Sequence, residues 1–128
     1  MACRGLRGAT CVETDDAAAI LAATTELLER IVAANGVAVA DVASVLFTVT
    51  PDLTAAKPAR AAREMGWSTV PLICAQEMVT ANDLPRCIRI LIHWNTDQTP
   101  GEIRHVYLGR ARELRPDLAG GGAPSLLS

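Results

Sequence analysis

The chain has 128 residues, a mass of 13.5 kDa and a formal net charge of −2, enough for one domain with a real core and too little for separate substrate domains. Half of it is hydrophobic but only 3% is aromatic, so the core must be built from Ala, Val, Ile and Leu. Without a basic surface or stacking residues, nucleic acid is excluded as a partner, and with no apolar signal core or long apolar run, so is a membrane.

In chain order, Cys3 to Thr10 reads as a first strand, with Cys3, Gly5, Arg7 and Ala9 on one face. Taken by itself, Arg7 fits a charge facing water on an edge strand. Thr14 is placed to cap the following helix, with Asp15 and Asp16 at the positive end of its dipole. Ile20, Leu21, Thr24, Leu27, Leu28, Ile31 and Val32 give that helix an apolar stripe, Glu26 and Arg30 an outer i, i+4 pair, and Asn35-Gly36 its stop. Val42 to Val49 is a nearly continuous apolar run and reads as a buried strand.

Pro58 to Met65 is a short helix stopped by Gly66, exposing Lys57, Arg60 and Arg63 on one side. Val70 to Cys74 is a short strand that Pro71 places near an edge. Cys87 to Trp94 is a further strand. Its face of Ile88, Ile90, Ile92 and Trp94 must be buried, while Cys87, Arg89, Leu91 and His93 share the other. A guanidinium between Cys and Leu should meet an internal carboxylate or an anionic ligand, and a carboxylate, Glu77, stands just after the preceding apolar run. His105 to Ala111 reads as the last strand.

The order strand, helix, strand, short helix and three strands implies an α+β domain: a mixed five-stranded sheet with one long and one short helix on one face. One long helix is too little to hide Val45, Ile88, Ile90 and Ile92 together, so self-association through the sheet is expected. The domain is expected to span 1–118, followed by a flexible Gly-rich tail, 119–128.

The chemistry is limited. His93 and His105 have no spacing to a Ser or Asp that suggests a triad, no His or carboxylate cluster suggests a metal, and no phosphate loop is present. Cys3, Cys11, Cys74 and Cys87 lack Cys-x-x-Cys spacing and read as buried, reduced thiols of a cytoplasmic protein. What remains is Arg7, Arg63, Arg89 and Arg115, with Glu77, Tyr107 and Cys74. Such a set binds an anion and strains it electrostatically, without covalent or metal chemistry.

Arg4-Gly-Leu-Arg-Gly-Ala-Thr10, Thr50-Pro-Asp-Leu53, Pro58-Ala59 with Arg63-Glu64, Cys74-Ala-Gln-Glu-Met78, Cys87-Ile-Arg89, Ile103-Arg-His-Val-Tyr-Leu108 and Leu114-Arg-Pro-Asp-Leu118 together resemble the small monofunctional bacterial chorismate mutases of the AroH type. The resemblance runs in order from the first residues to Leu118. It implies a homotrimeric pseudo-α/β barrel with active sites between subunits, isomerising chorismate to prephenate, at the branch towards Phe and Tyr, without a cofactor. It also implies that Arg7, Arg89 and Tyr107 hold the enolpyruvyl carboxylate and the ether oxygen, and that Glu77 and Cys74 contact the ring hydroxyl. Arg60, Arg63, Leu114 and Arg115 would line or close the mouth, with Ala59 and Ile73 as walls. Lys57 stands where the family has an aromatic residue, and Arg60 where a lysine is common. Two other readings fit the same residues: an imine deaminase on a similar trimeric fold, and a non-catalytic trimer that binds an aromatic-pathway metabolite.

Overall fold

A computed structural model describes residues 1–115. The elements are β1 (Ala2–Cys11), α1 (Ala17–Asn35), β2 (Val42–Val49), α2 (Ala59–Glu64), β3 (Leu72–Gln76), β4 (Cys87–Thr96) and β5 (Val106–Tyr107), with short 3-10 helices at Val39–Asp41, Pro100–Glu102 and Gly109–Glu113. The strands form one mixed sheet in the order β3-β2-β4-β1-β5. β4 is antiparallel to both β1 and β2, whereas the β2–β3 and β1–β5 pairs are parallel.

The period of two in β4 sorts the sheet into two faces. Val45, Phe47 and Val49 of β2 lie opposite Ile92, Ile90 and Ile88, and Leu6 of β1 lies opposite Ile92. α1 and α2 cover this face, with Leu27, Leu28, Ile31, Ala59 and Ala62 in the same core as Leu6, Phe47, Ile90 and Ile92. Gly8 is where α1 comes closest: a Cβ there would stand 2.6 Å from Ile31 Cδ1. Only a glycine lets the helix lie that near the strand.

The expected self-association of the isoleucine face is therefore corrected. Val45, Ile88, Ile90 and Ile92 are all buried within the single chain, because α2 over Val45, Ile90 and Ile92, and Leu53 with Val12 over Ile88, complete the cover that α1 begins. Apolar surface remains elsewhere: Leu46 and Leu91 are half-buried on the opposite face, and Ile73 is 63% exposed.

Local signals need four further corrections. Asp16, not Thr14, caps α1 by accepting the Ala19 N–H, while Gly36 closes it in the left-handed region as expected. Asp15 reaches instead to the Thr54 and Ala55 amides and the Thr54 hydroxyl, which hold its carboxyl below the usual carboxylate range. The last strand is only Val106–Tyr107, because Gly109 takes a left-handed φ of 57° and starts a 3-10 helix. β1 is not an edge strand, since β5 pairs with it at Gly8 and Ala9.

The cysteines are not all buried, reduced thiols. Cys11 and Cys87 are direct partners in the β1–β4 register and are joined as a disulfide, Cα–Cα 4.2 Å. Cys3 is exposed and Cys74 half-buried. A sequence separation of 76 residues hides that pair until the strands are aligned. The end of the domain at Leu118 and the expected tail lie outside the described residues.

Candidate active site

On the sheet face away from the helices, the strand register gathers the residues that the sequence singled out. Arg89 lies opposite Ala9 of β1 and Thr48 of β2, and Arg7 lies opposite Leu91. Their side chains, with Tyr107 from β5 and Leu114 and Arg115 beyond it, line a cleft of about 450 Å³ whose floor is Leu46, Thr48 and Leu91. Arg7, read from sequence alone as a solvated edge charge, is half-buried in this cleft.

Glu77 is placed by the end of β2. Its N–H donates to the Val49 carbonyl at 2.8 Å, and its Oε1 lies 3.6 Å from Arg89 Nε. Arg89 thus meets the carboxylate expected of it. Its side chain is nevertheless 44% exposed, because the cleft opens to solvent where a closed interior was expected. A smaller recess beside the pair is lined by Asp83, Leu84, Cys87 and Leu114. The Thr80 N–H above all holds the Asp83 carboxyl below its usual range, with a lesser contribution from the Arg89 charge.

Three guanidiniums (Arg7, Arg89 and Arg115) facing one cleft in a protein of net charge −2 make it a place for an anion. His105 adds to the geometry without adding charge. Its Nδ1 accepts the Arg7 N–H at 2.9 Å. Burial first, then the Arg7 and Arg115 charges, push the imidazole below its ordinary value of 6.5. It is held neutral and is poorly placed to be a base for the cleft.

The remaining predicted residues do not converge on this cleft. Cys74 lines a second one of about 480 Å³, with Lys57, Pro58, Ala75, Gln76 and, from the turn after β2, Thr50, Pro51 and Leu53. Neither cleft shares a lining residue with the other. Arg60 and Arg63 are exposed on α2, Arg60 paired with Glu64 at 2.9 Å. Ile73 projects from β3 into solvent, and Ala59 is buried in the core beneath the second cleft.

Thr48 went unnoticed in the sequence. It lines the first cleft directly opposite Arg89, and its Oγ1 is buried with no hydrogen-bond partner among the described residues. The signal was present: in an apolar run whose Val45, Phe47 and Val49 face the helices, Leu46 and Thr48 must face the other way. Among the described residues no group of His, Cys, Asp and Glu is arranged to hold a metal, and no helix is long and apolar enough to cross a membrane.

Sequence and fold are both shared with known proteins. The chorismate mutase type I family model matches residues 3–118. The chain belongs to that family, and it is an isomerase of chorismate. It is 52% identical over 116 residues to Chorismate mutase AroH of Thermus thermophilus, covering 90% of this chain and 95% of that protein. To Chorismate mutase AroH of Bacillus subtilis (strain 168) it is 47% identical over 120 residues, 93% and 94% of the two chains. Its fold is similar to a solved structure, chorismate mutase from Clostridium thermocellum, with a TM-score of 0.84 and 44% identity over 86% of this chain and 98% of that one.

Proposed function

We propose that the Arg7–Arg89–Tyr107 cleft is the catalytic half of the chorismate mutase site and that a neighbouring copy supplies the other half. The observation that carries this is the convergence of three guanidiniums and a phenol on one cleft from β1, β4, β5 and the turn after β5. Chorismate is a dianion, and its rearrangement to prephenate is a concerted exchange of bonds that needs no nucleophile and no proton transfer. As the carbon–oxygen bond breaks, partial negative charge grows on the ether oxygen. A guanidinium fixed there before reaction binds the transition state more tightly than the substrate.

Arg89 takes that role, with its guanidinium between the ether oxygen and the enolpyruvyl carboxylate. Glu77, 3.6 Å from Arg89 Nε, keeps the fork aligned and accepts from the ring hydroxyl. Arg7 and Tyr107 hold the carboxylate, and Leu114 and Arg115 close the mouth. Folding the flexible side chain over the ring removes much of the entropic part of the barrier.

The second cleft, with Cys74 and Lys57, and the exposed Arg60 and Arg63 belong to the same site in the assembled enzyme. Cys74 lies opposite Phe47 on the helix-covered face of the sheet, and Arg60 and Arg63 stand on α2, so they serve a neighbour's cleft. A homotrimer with three such sites follows, and the exposed Ile73 is apolar surface that its interfaces would cover.

The test is direct. Purified protein is given chorismate, the loss of its absorbance is followed and the product identified. Prephenate formed without ammonia by a trimer is the expected result. Ammonia release would point to the imine deaminase, and tight binding without turnover to a metabolite-binding protein.

A further inference from the structure

We propose that Asp52, acting with Thr50, is a positioning residue: it fixes the start of β4 and thereby holds Arg89 against Glu77. This rests on the reading that Arg89 carries transition-state stabilisation.

Arg86 is the one non-glycine residue with positive φ among the described residues, at 51°. A side chain of that size in the left-handed region persists only where its surroundings over-determine it. Its N–H donates to both Asp52 oxygens, at 3.1 and 3.0 Å. Its carbonyl accepts the Val12 N–H at 2.9 Å, and its Nε donates to the Val12 carbonyl at 3.1 Å.

The next residue is held as firmly. Cys87 N–H donates to Thr50 Oγ1 at 3.0 Å, and Thr50 N–H donates to the Cys87 carbonyl at 3.0 Å. The Thr50 hydroxyl in turn donates to Asp52 Oδ1. Thr50 is buried, whereas Asp52 is exposed. On its other side Cys87 is joined to Cys11. The start of β4 is therefore clamped to both neighbouring strands, and Asp52 is the carboxylate that organises the β2 side.

Arg89 follows two residues later, on the same face of β4 as Cys87. The residue before the turn, Val49, takes the Glu77 N–H on its carbonyl. The segment from Val49 to Asp52 thus sets both members of the Arg89–Glu77 pair. Neither Asp52 nor Arg86 lines either of the two clefts, so substrate contact is not their role. A guanidinium that must meet a developing charge tolerates little displacement, since about 1 Å of misplacement costs up to roughly 10²-fold in rate.

The experiment is a double-mutant cycle in the full chain, with kcat and KM for chorismate, circular dichroism and thermal unfolding measured for each protein. Asp52→Ala is expected to fold and to lose at least about 10-fold in kcat with a smaller change in KM. Asp52→Asn, which still offers an acceptor to the Arg86 amide, is expected to recover most of that loss. In an Arg89→Ala background, adding Asp52→Ala is expected to cost less than about twofold, because a residue acting through Arg89 has nothing left to position. Should Asp52→Ala not fold, Asp52→Ser, whose shorter side chain cannot offer two acceptors to the Arg86 amide, carries the same cycle. A folded Asp52→Ala protein with wild-type kcat, or one whose loss is undiminished in the Arg89→Ala background, overturns the proposal while leaving Arg89's role intact. An Arg89→Ala protein with wild-type kcat overturns the reading of the site and the proposal with it.

Discussion

Arg89 Nε stands 3.6 Å from Glu77 Oε1 across the end of β2, although the two residues belong to segments on either side of that strand. The pair is joined by neither sequence nor direct strand pairing. It exists because the Val49 carbonyl at the end of β2 holds the Glu77 N–H, which sets the carboxylate beside Arg89. With Glu77 there, the guanidinium is oriented before any substrate arrives.

Replacing Arg89 by lysine tests what that orientation is for. If Arg89 only anchored a carboxylate, Arg89→Lys would raise KM and leave kcat nearly unchanged. One compact ammonium cannot reproduce a planar fork that reaches a carboxylate and an ether oxygen together. We expect kcat to fall at least about 10²-fold, the cost of one missing transition-state donor. Steady-state kinetics on protein of unchanged oligomeric mass checks it, and wild-type kcat would sink the mechanism.

The pH dependences of rate and stability should part company. No proton moves in the proposed chemistry, so turnover should be nearly flat from about pH 6 to 9. Stability behaves otherwise, because His105 is held below its ordinary value of 6.5 in the fold. Above that value the imidazole is neutral in both states. As pH falls below it, the unfolded chain takes up a proton that the folded chain refuses, so stability falls until the lowered folded value is passed. Urea unfolding between pH 7 and 5 should show a decline that His105→Asn reduces. An unchanged slope in that variant would assign the acid sensitivity to other groups.

Gly8→Ala probes the packing behind the site. The added Cβ would meet Ile31 Cδ1 at 2.6 Å, with Leu27 Cδ1 and the Val106 carbonyl both at 3.3 Å. The carbonyl belongs to β5, so relief by moving it would disturb the strand that carries Tyr107. Overpacking of this kind typically costs about 1–3 kcal/mol. Thermal unfolding should report the loss, and a Tm equal to wild type would mean that α1 is seated more loosely than described.

Mixing two inactive proteins tests the shared site. Arg89→Ala disables the first cleft, while Gln76→Trp fills the second from an exposed position on β3, on the same face as Cys74. Each alone should have low activity. In co-expressed mixed trimers some sites would combine two undamaged halves, and activity should return. No recovery in verified mixed trimers would place both halves of each site in one subunit.

The sequence alone carried the pattern of the sheet and most of the residues that face the clefts. The alternation of Ile88, Ile90 and Ile92 with Arg89 and Leu91 is a local property, because side chains on a strand point to opposite sides whatever its neighbours are. The stripe of Ile20, Leu27, Leu28 and Ile31 fixed the buried side of α1 for a similar reason, and seven short motifs carried the family. Tertiary structure decided everything that depends on which strands lie side by side. Register brought Cys11 to Cys87 and Thr48 to Arg89. The order β3-β2-β4-β1-β5 separated Cys74 from Arg7. The Val49 carbonyl, by holding the Glu77 N–H, brought Glu77 to Arg89, and Asp52 found the Arg86 amide 34 residues away. Such pairings depend on the alignment of whole strands, which is won by burying the isoleucine face as a unit. No single residue on the polar face announces its partner.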